Sequence, residues 1–202
     1  MTPIIIMPGW RNSGPGHWQS LWAEQLPGAQ RVVQDDWVVP RREAWVARLG
    51  ETILQQTNPV VVVAHSLGCI ANAHLPPHVV AHIRGALLVA PADPERRGAL
   101  ADFAPVPYQP LPYRSILVAS ANDPFCPVRT AGAYARAWGS EFVRLPHAGH
   151  INADSGLGIW PLGIALLQSL VPDNIQPFGS GAALTDSAIS AASVLPIVPN
   201  SQ

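Results

Sequence analysis

The stretch Val60-Val61-Val62-Val63-Ala64-His65-Ser66-Leu67-Gly68-Cys69-Ile70-Ala71 decides the fold. Four valines and an alanine in a row show no alternation, the pattern of a parallel strand covered on both faces. The run ends in a small-x-Ser-x-Gly string and continues as a segment compatible with a helix. A strand turning sharply into a helix, with serine at the apex, is the setting of a nucleophile elbow. Small residues are needed two positions either side of the serine because neighbouring backbone passes close. Gly68 fills the downstream position, and Ala64 stands where glycine is usual upstream. An ordinary strand-to-helix turn would carry the same string, so the rest of the chain has to supply partners for Ser66.

Working outward, short apolar segments at residues 4–7, 31–33, 86–90, 115–119 and 141–145 read as further strands. Helical spacing falls between them. Trp18, Leu21, Trp22 and Gln25 share one face; Pro40 suits the first position of a helix in which Trp45, Leu49 and Ile53 recur every fourth residue. Tyr134 and Trp138 mark a later helix, and residues 162–170 a last one. Alternating strands and helices predict a mainly parallel sheet with helices on both faces, an α/β architecture in one domain over residues 1–172. The proline-rich segment 91–112 has no sustained period and reads as an ordered excursion beyond a strand end. Residues 173–202 turn to Ser, Ala and Gly and are expected to form a weakly packed tail, with 194–198 able to dock on the body.

Composition narrows the function. The chain has 202 residues, 12% of them charged and 48% hydrophobic, with a formal net charge of −1. That balance offers no basic field for nucleic acid or acidic lipid. The 12 basic residues are all arginine, which excludes lysine-based chemistry. Cys69 and Cys126 cannot build a disulfide framework, and both are expected to be buried small hydrophobes. The apolar run at residues 4–7 is too short for a signal segment, and no stretch approaches a membrane span, so a cytoplasmic location is expected.

A serine nucleophile needs a base, and the base needs a group that orients it. Asp123, in Ser120-Ala121-Asn122-Asp123-Pro124, follows the strand at 115–119 and would emerge at its carboxyl end, although Asn-Asp-Pro is also good turn chemistry. His150, in Pro146-His147-Ala148-Gly149-His150-Ile151-Asn152, lies beyond the last strand of the body, where a base is required. His147 competes with it; Gly149 favours His150 by permitting a tight turn. His65 is expected to point away from Ser66. For an oxyanion, the backbone N–H of Leu67 and that of Trp10, behind Gly9, are the candidate donors. Asp93 and Asp102 are alternative acids, but neither directly follows a strand. His74, His78 and His82 have helical spacing, yet Pro76 and Pro77 break the helix, so surface histidines are expected rather than a metal site. Gly14 and Gly16 lack a third glycine at Gln19, so no dinucleotide fingerprint is present.

These segments, with His17-Trp18-Gln19, Asp36-Trp37 and Trp45-Val46, resemble the small serine hydrolase family of the α/β-hydrolase superfamily, the group that includes YdeN and retinoblastoma-binding protein nine. The resemblance runs over roughly residues 3–171. It implies a single α/β-hydrolase domain without a large lid, a triad of Ser66, Asp123 and His150, and hydrolysis of small carboxylic esters or amides without a cofactor or metal. The expected partner is such a small molecule, with no nucleic acid or membrane, for a monomer or homodimer. The Leu-x-Cys-x-Glu string of a pocket-protein ligand is absent, because Leu67-Gly68-Cys69-Ile70-Ala71 ends in alanine. Two other readings use the same residues: a non-catalytic binding protein on a hydrolase scaffold, and an acyltransferase.

Overall fold

A computed structural model describes residues 2–171 and 193–195. Strands β1 (Ile4–Met7), β2 (Ala29–Arg31), β3 (Val60–His65), β4 (Ile83–Val89), β5 (Arg114–Ser120) and β6 (Glu141–Leu145) form a parallel sheet. A seventh strand, β7 (Ser193–Leu195), pairs antiparallel with β6, giving the order β2-β1-β3-β4-β5-β6-β7. Helices α1 (Trp18–Gln25), α2 (Arg42–Leu54), α3 (Leu67–Ala73), α4 (Pro77–Val80), α5 (Val128–Trp138) and α6 (Pro161–Leu170) make the crossovers and the outer layers.

The unbroken apolar strands are explained by burial on two sides. Ile5, Met7, Val60, Val62 and Ala64 face one core with Trp45, Leu49 and Ile53 of α2 and with Tyr134 and Trp138 of α5. Ile4, Ile6, Val61 and Val63 face the other, with Trp18 and Trp22 of α1 and Ile164 and Leu167 of α6. Because both faces are covered, a one-residue slip in register would exchange the two cores, and the elbow after β3 is fixed in height against β1 and β4.

Several expectations shift. Strand β2 lies at Ala29–Arg31 rather than 31–33; Val32 still donates to the Ile6 carbonyl (2.9 Å), but Val33 has passed the end of β1 and is 65% exposed. Helix α2 starts at Arg42, so Pro40 precedes the cap instead of opening the helix. In α1 the inward positions are Trp18, Gln19 and Trp22, while Gln25 is exposed. Segment 91–112 folds as two 3₁₀ turns, Pro94–Arg96 and Gly98–Phe103, with Leu100 and Phe103 buried. The expected tail at 173–202 lies outside the described residues except for β7. Among the described residues no helix is long and apolar enough to cross a membrane.

The elbow follows from one close approach of backbone. Ser66 has φ 52° and ψ −119°, a conformation that costs a non-glycine residue about 1–3 kcal/mol unless its surroundings impose it. Helix α3 packs beneath the end of β1, where a Cβ on Gly68 would lie 2.6 Å from the Met7 carbonyl oxygen and 2.8 Å from that of Pro8. The Ala64 methyl, by contrast, sits fully buried in the core and the turn forms with it. Gly68→Ala is therefore expected to lower unfolding free energy by about 1–3 kcal/mol through overpacking. Gly98→Ala, with no atom within 4 Å of the new methyl, should stay within about 0.5 kcal/mol of the wild type. Urea denaturation of the two variants checks the contrast.

Candidate active site

The carboxyl ends of β1, β3, β4, β5 and β6 converge on one edge of the sheet, where ligands bind in open α/β folds. Ser66 stands at the end of β3, and its Oγ lies 2.9 Å from Nε2 of His150. Nδ1 of His150 lies 2.9 Å from Oδ2 and 3.1 Å from Oδ1 of Asp123. A carboxylate only accepts, so Nδ1 carries the proton and Nε2 presents its lone pair to the Ser66 hydroxyl. The side chains of His150 and Asp123 are 9% and 2% exposed, which keeps water away from both hydrogen bonds. Asp123 is oriented in turn by the Phe125 N–H, which donates to its Oδ1 at 2.8 Å. Thus three residues far apart in sequence meet in one row.

The loop bearing His150 is held residue by residue. The Ala148 N–H donates to Ser120 Oγ (2.8 Å) and the Gly149 N–H to Asn122 Oδ1 (2.9 Å). The His150 carbonyl accepts from His65 Nε2 (2.9 Å), and that of Ile151 from the Trp18 indole (2.8 Å). His65, expected to face away from Ser66 in a structural role, is thus a buried brace for His150. His147 is exposed.

The loop after β1 covers the opposite side. A Cβ on Gly9 would lie 2.7 Å from Cβ of Ser66, so only glycine lets this backbone pass. Gln19 reaches under the loop from α1: its Nε2 donates to the Met7 carbonyl (3.1 Å) and the Val63 carbonyl (3.0 Å), and its Oε1 accepts from Ser13 (2.7 Å). Trp10 is anchored by its indole on the Val38 carbonyl (2.9 Å) and also lines the cavity over Ser66. Among the described residues neither the Trp10 N–H nor the Leu67 N–H donates to another group of the chain.

That cavity has a volume of about 280 Å³ and is walled by Trp10, Ala92, Arg97, Leu100 and Phe125 together with His17, His65 and His150. A larger groove of about 530 Å³ runs between α2 and α4 and contains none of the three aligned residues. Asp93 joins the cavity wall, whereas Asp102 accepts from the Arg42 N–H (2.7 Å) at the start of α2. His74 is half-buried and donates to the Phe103 carbonyl (3.0 Å), so of the three spaced histidines only His78 and His82 are exposed as expected. Among the described residues no group of acidic, thiol and imidazole side chains could hold a metal. Cys69 and Cys126 are buried, and burial pushes the Cys126 thiol up to about 12 and that of Cys69 further.

His17, Gln19, Ser120 and Asn122 belong to this site and were not singled out for it by spacing. Gln19 had a signal, a lone amide at an inward helical position. His17 caps α1 by accepting the Gln19 N–H on Nδ1 (3.1 Å), which leaves the proton on Nε2. Among the described residues that buried Nε2 has no partner.

The profile of the serine hydrolase family matches residues 4–169. A search of curated proteins finds no match. Among solved structures, a Pectobacterium atrosepticum protein described as a YdeN-like hydrolase is 34% identical over 84% of this chain and 90% of its own, with a TM-score of 0.76. The ydeN gene product of B. subtilis is 22% identical over 84% of this chain and 98% of its own, TM-score 0.71. A thermophilic esterase from Thermogutta terrifontis shares the fold at 16% identity, 84% and 89% coverage and a TM-score of 0.62.

The imidazoles flanking His150 give the site a pH signature. Burial, then Arg31 and His150, lowers the His17 pKa to about 4, and burial lowers that of His65 well below its usual value. Both are neutral in the folded state, whereas the unfolded chain takes up protons near pH 6.5. Their contribution is therefore complete above pH 6.5 and is lost as pH falls toward 4. From pH 7 to pH 5, His17 alone accounts for a loss of about 2 kcal/mol. His17→Asn, which keeps an oxygen to cap α1, is expected to flatten that dependence in urea titrations at the two pH values.

Proposed function

This chain belongs to the serine hydrolase family, and we propose that it hydrolyses small carboxylic esters, and amides of similar size, with Ser66, His150 and Asp123 as its catalytic triad. The observation that carries this reading is the continuous hydrogen-bonded row from Ser66 Oγ through both ring nitrogens of His150 to Asp123. In the first half-reaction His150 Nε2 takes the Ser66 proton as Oγ attacks the carbonyl carbon. The carbonyl π pair moves to oxygen, where the Leu67 and Trp10 N–H groups receive it. Asp123 holds the imidazole in its tautomer and stabilises the imidazolium. Collapse expels the alcohol or amine, which leaves with the proton from His150. Water then adds to the acyl-Ser66 ester with His150 again as base, and the carboxylic acid departs as Oγ regains its proton.

A cavity of about 280 Å³ suits acyl groups of a few carbons better than long lipid chains.

A fluorophosphonate should add once to the wild type, at Ser66, and not to Ser66→Ala, as read by intact mass. Asp123→Asn should retain the fold and lower kcat on a short aryl ester by about 10³–10⁴-fold, because the wrong imidazole tautomer then faces Ser66. A well-folded wild type that takes no adduct would sink the mechanism.

A further inference from the structure

Two arginines at the cavity take no part in the steps above. The guanidinium carbon of Arg97 lies 4.2 Å from the centre of the Phe125 ring and 5.9 Å from that of Trp10, and that of Arg11 lies 4.5 Å from Trp10. Phe125 in turn stands edge-on to His150, with ring centres 4.6 Å apart. Arg97 thus lies between the loop after β1 and the loop carrying Asp123, in the wall of the same cavity as Ser66 and His150.

The remaining chemistry of these arginines is uncommitted. Arg31, Arg48 and Arg114 are hydrogen-bonded to Ser20, Asp35 and Glu141 respectively. Among the described residues neither Arg97 nor Arg11 donates a side-chain hydrogen bond or meets a carboxylate within 4.0 Å. Asp93 shares the cavity wall but forms an ion pair with neither. An aromatic contact holds a guanidinium through its flat face, while its five N–H groups point outward in the plane. A planar fork of donors, set against an aromatic ring and without a partner among the described residues, matches the two oxygens of a carboxylate.

Resting on the hydrolase reading of Ser66, we propose that Arg97, assisted by Arg11, binds a carboxylate carried by the substrate, so that the preferred esters are half-esters of short dicarboxylic acids. Arg97 is then a specificity-determining residue, and the cavity discriminates by charge as well as by size.

The test compares 4-nitrophenyl hemiadipate with 4-nitrophenyl hexanoate, which differ by a terminal carboxylate in place of a methyl. A third ester, of 6-aminohexanoate, carries a cation at the same distance. For the wild type, kcat/KM on hemiadipate should exceed that on hexanoate by roughly tenfold or more, the size of one charge-assisted pair. Arg97→Gln should bring the ratio close to one, mainly through KM, and Arg97→Lys should restore part of it. Fluorophosphonate labelling of Ser66 in each variant certifies a folded site. Equal turnover of the two esters by a labelled wild type, or a ratio unmoved in a labelled Arg97→Gln, overturns the inference and leaves the hydrolase reading intact. A preference for the aminohexanoate ester would assign the cavity to Asp93 and also overturn it. Absence of both label and turnover in the wild type removes the Ser66 reading and this inference together.

Discussion

Everything at the site depends on how closely the backbone after β1 passes over the turn that follows β3. Gly68 lies against the Met7 and Pro8 carbonyls, and Gly9 lies against the Ser66 methylene, with no room at either place for a further carbon. This double contact holds Ser66 in a conformation a serine would otherwise leave. It also carries the Trp10 backbone alongside Ser66. Gln19 ties the same two strand ends from below, its amide donating to both Met7 and Val63. A buried amide bonded at both of its polar atoms adds directional constraint that apolar packing lacks. The geometry around Ser66 is thus set by parallel strands whose register neither core can relax.

His150 is fixed by a different kind of restraint. His150 sits in a loop rather than a strand, and loops are the mobile part of a fold. Here, four consecutive residues, 148–151, are each tied by a hydrogen bond to a separate anchor: Ser120, Asn122, His65 and Trp18. Two of those anchors lie within three residues of Asp123 in the chain and one lies next to Ser66. The groups that position His150 therefore move with its two partners, and the row of three is braced as a unit. His65 is the neutral tautomer with its proton on Nε2, because the His150 carbonyl is an acceptor. Its burial among other imidazoles secures that form.

The elbow was legible because its sequence obeys two local rules at once, an unalternating apolar strand and small residues flanking a serine. Asp123 and His150 were legible because each follows a strand whose end is unambiguous. Strand β2 was misplaced by two residues because Val32 and Val33 carry the stronger β-propensity, whereas pairing is decided by where β1 ends. Pro40 resembled a helix start for its fixed φ, but Asp102 accepts from the Arg42 N–H and fixes the start two residues later. That contact spans 60 positions, and no local pattern encodes it. His17 was invisible as a member of the site because its role arises from a tautomer set by its own helix cap.

The same division separates reaction from selectivity. The residues proposed to move protons follow the ends of strands, and a strand end is visible in sequence through the period of the residues before it. Four of the residues that wall the cavity, Ala92, Asp93, Arg97 and Leu100, come from segment 91–112, where two 3₁₀ turns and repeated prolines leave no period to read. Arg97 reaches the site because Leu100 and Phe103 are buried under the segment and hold it over the sheet edge. A change in this segment can alter what the cavity accepts without touching the contact between β1 and the elbow. Chains that share the strand ends and differ between β4 and β5 would keep the reacting row while differing in substrate, since the two properties rest on separate interactions.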